Sequence, residues 1–309
     1  MLAALQRGIP LSRRPFDDLA RELGCGESDL IDFASRAIRE GAARRFGAVF
    51  DTRRLGFTST LCCMTADDPD AAAAFLASRR EVTHCYLREA QGCPNLWWTW
   101  SAPRDRFSLS LAEIPFPFRT LPATRRYKVD VVFGAGSRSA DLDESTADSL
   151  PPPDEMGRRI IRALQGDTGL RPDYFAALAE DLGMKEWDLL STLEVWRRRG
   201  RLRRIALLLD HRKSGYVANG MCCFRMPDGT TEAGRALAAL DAVTHCYERP
   251  PCPEFPYNLF AMVHGASVEE AQGLFAQLKE RLAALPAPPE DAVMLLSTRE
   301  YKKTSMAFY

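Results

Sequence analysis

VTHCYLRE, residues 82–89, returns as VTHCYERP at residues 243–250. An identical Val-Thr-His-Cys-Tyr is hard to ascribe to chance in a 309-residue chain that holds only four histidines. Further matches extend outward from it in both directions. LARELG (19–24) matches LAEDLG (178–183), and RRFGAVFDTRRLGF (44–57) matches RRIALLLDHRKSGY (203–216). NLWWTWSA (95–102) matches NLFAMVHG (258–265), and LPATRRYK (121–128) matches LLSTREYK (295–302). The order is the same, the spacing nearly so, and the period is roughly 160 residues,. A period that long means two copies of one domain pair, not a solenoid.

Each copy reads the same way. In residues 13–40, Phe16, Leu19, Ala20 and Leu23 share a helical face, Gly24 and Gly26 mark a turn, and ESDLIDFASRAIREG forms a second helix closed by Gly41,. The extended ARRFGAVFD then completes a winged helix–turn–helix pattern,. The remainder alternates FTSTLCCMT, DAAAAFLASRR, VTHCYLRE, NLWWTWSA, RFSLSLAEI and RRYKVDVVF, which is β-α-β-β-α-β, the ferredoxin-like arrangement,. GAGSRSADLDESTADSLPPPDE (134–155) has no apolar period and reads as a linker,. The expected class is therefore α+β, with two tandem copies of winged helix–turn–helix plus ferredoxin-like domain forming a pseudo-dimer. The expected boundaries are 1–55 and 56–133 for the first copy, 134–156 for the linker, and 157–214 and 215–309 for the second.

Composition excludes some classes. Hydrophobic residues at 46% and charged residues at 27% suit a soluble globular protein,. Lys+Arg and Asp+Glu are both 41, so no bulk field draws the molecule to nucleic acid or anionic lipid,. No apolar run approaches the ~20 residues that span a bilayer. The opening MLAALQRGIPLSRRPF is too short and polar for a signal peptide, so the expected setting is the cytoplasm,. The nine cysteines include the pairs Cys62–Cys63 and Cys222–Cys223 inside strand-like runs, which read as reduced, buried hydrophobes with no zinc-site spacing,.

Strand alternation sets His84, Tyr86 and Arg88 on one face, each about 6.5–7 Å from the next, and His245, Tyr247 and Arg249 likewise,. A face that packed only against a core would be apolar. On the following strand Asn258, Phe260, Met262 and His264 share a face, opposite Asn95, Trp97, Thr99 and Ser101 in the other copy. His211 and His264 have Thr52 and Ser101 as counterparts, so the copies have diverged in imidazoles. Arg44, Arg45, Arg53 and Arg54, then Arg203, Arg204, Arg212 and Lys213, gather around the junction of wing and sheet. Any one of them suits a solvated surface; the repeated set suits an anionic ligand.

A winged helix–turn–helix joined to a ferredoxin-like domain resembles the Lrp/AsnC regulators. That resemblance implies a pseudo-dimeric transcription regulator sensing a small anionic ligand. Glu27, Asp29 and Asp32 in the second helix, and Glu186 and Asp188 in its repeat, oppose DNA phosphates and argue against it,. The combination RRFGAVFD, VTHCYLRE, NLWWTW and LPATRRYKVDVVF in the first copy, with VTHCYERP, FPYNLFAMVHG and TREYK in the second, resembles the sirohaem decarboxylases, an offshoot of that family. The chain departs from their pattern at Pro94, where a tyrosine is expected before Asn95. The resemblance covers both copies and leaves out only the linker.

It implies removal of two acetate carboxyl groups from sirohaem, an iron tetrapyrrole, as a step in an alternative haem pathway or toward the haem of a dissimilatory nitrite reductase. The product is didecarboxysirohaem, and no cofactor is required. It also implies residue roles. His245 or His264 would donate the proton, with Arg249 and Arg212 orienting the acetates. Arg44, Arg45, Arg53, His84, Tyr86, Arg88, Trp97, Arg204, His211, Tyr247 and Asn258 would bind substrate, with His84 or His211 as an axial ligand to its iron. No membrane or DNA partner is expected; self-association beyond the internal pseudo-dimer is left open.

Overall fold

The computed structural model describes residues 1–129, 142–143, 150–209 and 217–309. Most of the expected linker, and His211 and Arg212, lie outside the described residues.

The first copy opens with α1 (Leu2–Arg7), α2 (Pro15–Leu23) and α3 (Glu27–Arg39). Pro15 begins α2, where its missing N–H costs nothing, Asp17 and Asp18 meet the positive end of the helix, and left-handed Gly24 ends it,. Strands and helices follow in turn: β1 (Ala43–Phe50), β2 (Phe57–Met64), α4 (Pro69–Ser78), β3 (Val82–Glu89), β4 (Leu96–Pro103), α5 (Phe107–Leu111), β5 (Arg119–Leu121) and β6 (Arg125–Val129). After the two-residue β7 (Leu142–Asp143), the second copy repeats the order. It comprises α6 (Glu155–Gln165), α7 (Tyr174–Leu182), α8 (Glu186–Arg198), β8 (Leu202–Leu209), β9 (Ala218–Arg225), α9 (Thr231–Ala238), β10 (Val243–Glu248), β11 (Leu259–Gly265), α10 (Val268–Ala283) and β12 (Asp291–Lys303).

The copies are interlocked twice. First, β1 pairs antiparallel with β8, so each wing strand completes its ladder on the other copy. The two helical units consequently share one core. Phe16, Phe46 and Tyr174 meet with ring centroids 5.6–6.1 Å apart,. Gly47 sits at the centre of β1, where an added Cβ would strike the carbonyl oxygens of Gly166 and Leu164. Its counterpart on β8, Ala206, pairs with Gly47 and carries a methyl group. The departure between copies thus follows from where α6 ends.

Second, the larger sheet runs β5-β2-β4-β3-β12-β9-β11-β10-β6-β7. The first part of β12 pairs with β9 of its own copy and the rest with β3 of the other. β5 and β6 do the same toward β2 and β10, broken by Pro122, which lacks an N–H,. Because β5 and β6 are one piece of chain at opposite ends of the run, the sheet wraps round to meet itself. Helices cover its outer faces, over Trp98, Trp100 and Cys85 in one copy and Cys222, Phe224 and Cys246 in the other. Lys128 and Lys302, the repeated lysines of the last strands, each cap the other copy's helix, through the carbonyls of Leu240 (2.8 Å) and Arg79 (2.6 Å),.

Asp51 joins the two assemblies. It is 7% exposed, lies 2.7 Å from Arg203 on β8 and 3.5 Å from Arg126 on β6, and accepts from the Arg53 and Arg54 amides. Burial alone would raise its pKa, but Arg203 and Arg126 together hold it below the ordinary value,. Its contribution to stability is therefore present above the unfolded carboxyl's pKa and is lost as pH falls through the lower folded value. Asp51→Asn is expected to cost about 3 kcal/mol by removing the buried carboxylate that Arg203 and Arg126 share,. Thermal melts at pH 7 and pH 3 check this: the variant's Tm starts lower and falls less on acidification than the parent's.

Candidate active site

The repeated pentapeptide has a structural reason. Val82 pairs with Trp100 and His84 with Thr99, which leaves Thr83 as an extra residue; Val243 pairs with Val263 and His245 with Met262, which leaves Thr244. Each copy thus carries a β-bulge at the threonine, a device that re-aims the next side chain. Thr83 Oγ1 lies 2.9 Å from His84 Nδ1 and 2.7 Å from Thr99 Oγ1. Thr244 donates to the Met262 carbonyl at 3.3 Å, so at 3.1 Å it accepts from His245 Nδ1–H,. Nε2 is then the ring nitrogen left for a ligand.

From the bulge the expected face continues. His84 and Tyr86 rings lie 6.1 Å apart and the Arg88 guanidinium sits 5.1 Å over Tyr86. In the second copy the distances are 6.2 Å and 4.9 Å for His245, Tyr247 and Arg249. Arg88 donates to the Leu295 carbonyl of the other copy's last strand, and Arg249 donates to Leu121, the matching residue of the first copy. Asn219 accepts from Arg88 at 3.5 Å. Burial lowers both guanidinium pKa values to about 10, which leaves both charged at neutral pH. Arg88 is only 4% exposed, and neither arginine has a carboxylate partner among the described residues.

These two ladders face each other across a cavity of about 340 Å³ between the sheet halves. Its polar lining is His84, His245, His264, Arg88, Arg249, Lys303, Tyr86, Tyr247, Asn219, Ser59, Thr83 and Thr99. Leu61, Trp97, Met221, Phe260 and Met262 supply apolar walls. No aspartate or glutamate is among these described residues. Burial, and then the charges of His245, Lys303 and Arg88, push His264 down to about 3, so its imidazole is neutral at pH 7,. The cavity thus offers fixed positive charge and flat apolar surface together, and suits a broad ligand fringed with anions.

Eight of the sequence-predicted residues meet here: His84, Tyr86, Arg88, Trp97, His245, Tyr247, Arg249 and His264. Of the others, His211 and Arg212 lie outside the described residues, and the structure places the rest away from the cavity lining. Arg44 donates to Leu209 and Arg45 to Gly166 and Ala48, which ties down the wings. Arg53 donates to Ala123, and Arg204 lies on β8 beside Gly8. Asn258 clamps the backbone of Met226 through both ends of its amide, as Asn95 clamps Ala66. Lys303 and Asn219 escaped the sequence reading. Lys303 reaches the cavity by pairing with His84 of the other copy, and its only sequence signal is that the matching residue of the first copy is Val129.

Comparison with known proteins agrees with this geometry. The AsnC-like ligand binding domain pattern matches residues 54–128 and 213–302, and the sirohaem decarboxylase NirDL-like HTH domain pattern matches residues 1–44. The sirohaem decarboxylase of Hydrogenobacter thermophilus is 33% identical, covering 100% of this chain and 94% of that protein. The sirohaem decarboxylase NirH subunit of Paracoccus pantotrophus is 39% identical and corresponds to 50% of this chain and 95% of its own length. The crystal structure of the sirohaem decarboxylase NirDL in complex with an iron-uroporphyrin III analogue superposes with a TM-score of 0.73 at 30% identity, covering 97% of this chain and 90% of that one. A full-length match at this identity, on the same fold, makes this chain a member of the sirohaem decarboxylase family.

Proposed function

We propose that this chain decarboxylates sirohaem, removing two acetate carboxyl groups to give didecarboxysirohaem for haem synthesis. The observation that carries the reading is a cavity that sets Arg88, Arg249, Lys303 and three histidines against aromatic and methionine walls without a carboxylate among them. The macrocycle's faces meet Trp97, Phe260, Met221 and Met262, and its rim carboxylates meet the guanidinium groups. Each step is redox-neutral: the C–CO2 bond breaks, the electron pair spreads into the macrocycle, a proton reaches the methylene carbon, and CO2 and a methyl group result. Sirohaem is substrate, and no further cofactor enters.

His245 is the proton donor in this reading. Its Nδ1–H is taken by Thr244, which leaves Nε2 for the transfer. His264 enters neutral; a bound carboxylate offsets its cationic neighbours and draws a proton onto it. Arg249 orients an acetate, together with Arg212 from the segment outside the described residues, and His84 or His211 serves as the ligand to the substrate's iron. The nine cysteines are all free thiols, which supports a reducing, cytoplasmic setting for the reading,; no helix of the described residues is long and apolar enough to cross a membrane. The regulator alternative has little support, since α3 and α8 begin with Glu27, Asp29, Glu186 and Asp188,.

Anaerobic incubation with sirohaem followed by mass spectrometry of the pigment tests the assignment. Loss of two CO2 is expected; unchanged pigment alongside a salt-sensitive shift of a DNA fragment would favour a regulator. His245→Ala is expected to lower kcat by about 10²–10⁴-fold while its melt and circular dichroism match the parent. Full activity in that variant removes His245 from the donor role. His264 carries its own signature. Below its ordinary value near 6.5 the unfolded chain takes up a proton that the folded chain refuses until about 3. Stability therefore falls across that window as pH drops. Denaturant titrations at pH 7 and pH 4 should show a smaller loss for His264→Gln than for the parent.

A further inference from the structure

The cavity is built on a pseudo-twofold frame. His84 answers His245, Tyr86 answers Tyr247, Arg88 answers Arg249, and Ser59 answers Asn219. A flat ligand with carboxylates around its whole rim finds nearly the same frame either way round. Charge breaks that symmetry at one place. On the last strand of the second copy, Lys303 pairs with His84; on the last strand of the first copy, the residue that pairs with His245 is Val129. Lys303 lines the cavity and Val129 does not. The same side carries His264, where the first copy has Ser101, and His264 lies close enough to feel the lysine's charge.

Lys303 is also held in place. The next residue, Thr304, donates its N–H to the Thr83 carbonyl at 2.8 Å. Five residues on, Phe308 is buried against Phe57 and Phe50, with ring centroids 5.2 Å and 6.2 Å away. The strand end that bears the lysine is thus fastened to both the bulge and the helical core.

We propose that Lys303 is a specificity-determining residue: it binds one rim carboxylate of the macrocycle and so decides which way round the disc sits relative to His264 and His245. The ligand class rests on the sirohaem reading above; the orienting role rests on the asymmetry. A lysine suits it because a compact point charge on a flexible stem can meet a carboxylate from several directions, whereas a guanidinium is bound to its planar fork.

Three variants test it by anaerobic absorbance titration with sirohaem, followed by turnover. Lys303→Val copies the other end of the cavity, Lys303→Arg keeps the charge, and Lys303→Val with Val129→Lys moves the charge to the opposite end. Loss of one charge-assisted hydrogen bond predicts binding about tenfold or more weaker for Lys303→Val, with Lys303→Arg within about threefold of the parent. The double variant should recover binding yet turn over more slowly than the parent, because the disc is then reversed relative to His264. Unchanged binding in Lys303→Val overturns the proposal, and so does equal weakening in the arginine variant or parental turnover in the double variant. A parent chain that binds sirohaem without decarboxylating it overturns the functional reading alone, since the binding comparison still judges Lys303; a parent that takes up no sirohaem overturns both.

Discussion

The exchange of last strands between the two copies is the interaction on which the rest depends. β12 spends half its length on its own sheet and half on β3 of the other copy, and β5 with β6 mirrors it. An open antiparallel edge is otherwise an invitation to pair with something else; here each edge is closed by the other copy. Closure also creates the cavity, because the two His-Tyr-Arg faces look at each other only when the sheet wraps round. A single copy presents one such ladder and no enclosure, so the duplicated chain, or a pair of half-length subunits, is the smallest unit that can hold the site.

That enclosure is electrostatically unusual. Burying a guanidinium without a carboxylate is costly, and the chain does it twice. Arg88 and Arg249 keep their charge through a carbonyl of the opposite copy and the π face of the tyrosine two residues back,. Partners of this kind orient the cation without neutralising it, so positive potential is left over for a ligand. Burial first, and then the neighbouring positive charges, keep His264 neutral. A preorganised cationic pocket needs little rearrangement when an anion arrives.

The helical units contribute rigidity more than recognition. Phe16, Phe46 and Tyr174 merge them into one core, and the β1–β8 ladder crosses between them. Asp51 carries that rigidity into the sheet through Arg126, and the tail carries it to the far end of β12 through Phe308. Glu27 at the head of α3 is bound by Arg14, 2.5 Å away, and Glu186 at the head of α8 lies 3.6 Å from Arg13 of the other copy. The helical units thus clamp the strands that surround the cavity.

Local regularities were legible in the sequence, because they depend on periods that need no partner. The repeat, the helix–turn–helix spacing and the shared face of His84, Tyr86 and Arg88 all follow from chain geometry and alternation alone. Nothing local distinguishes Arg88 and Arg249 from Arg44, Arg45, Arg53 and Arg204; all are arginines in repeated segments. The fold separates them by sending the first pair inward and using the other four on the wings. Lys303 lay hidden because the repeat gives no signal for it, its counterpart being Val129, and because what sets it beside His84 is pairing with the other copy's strand. The sequence alone determined what each segment is and which side chains stand together on it. Only tertiary structure decided which copy each strand pairs with, and therefore which of those side chains share a cavity, since strand partners are chosen by contacts far apart in the chain.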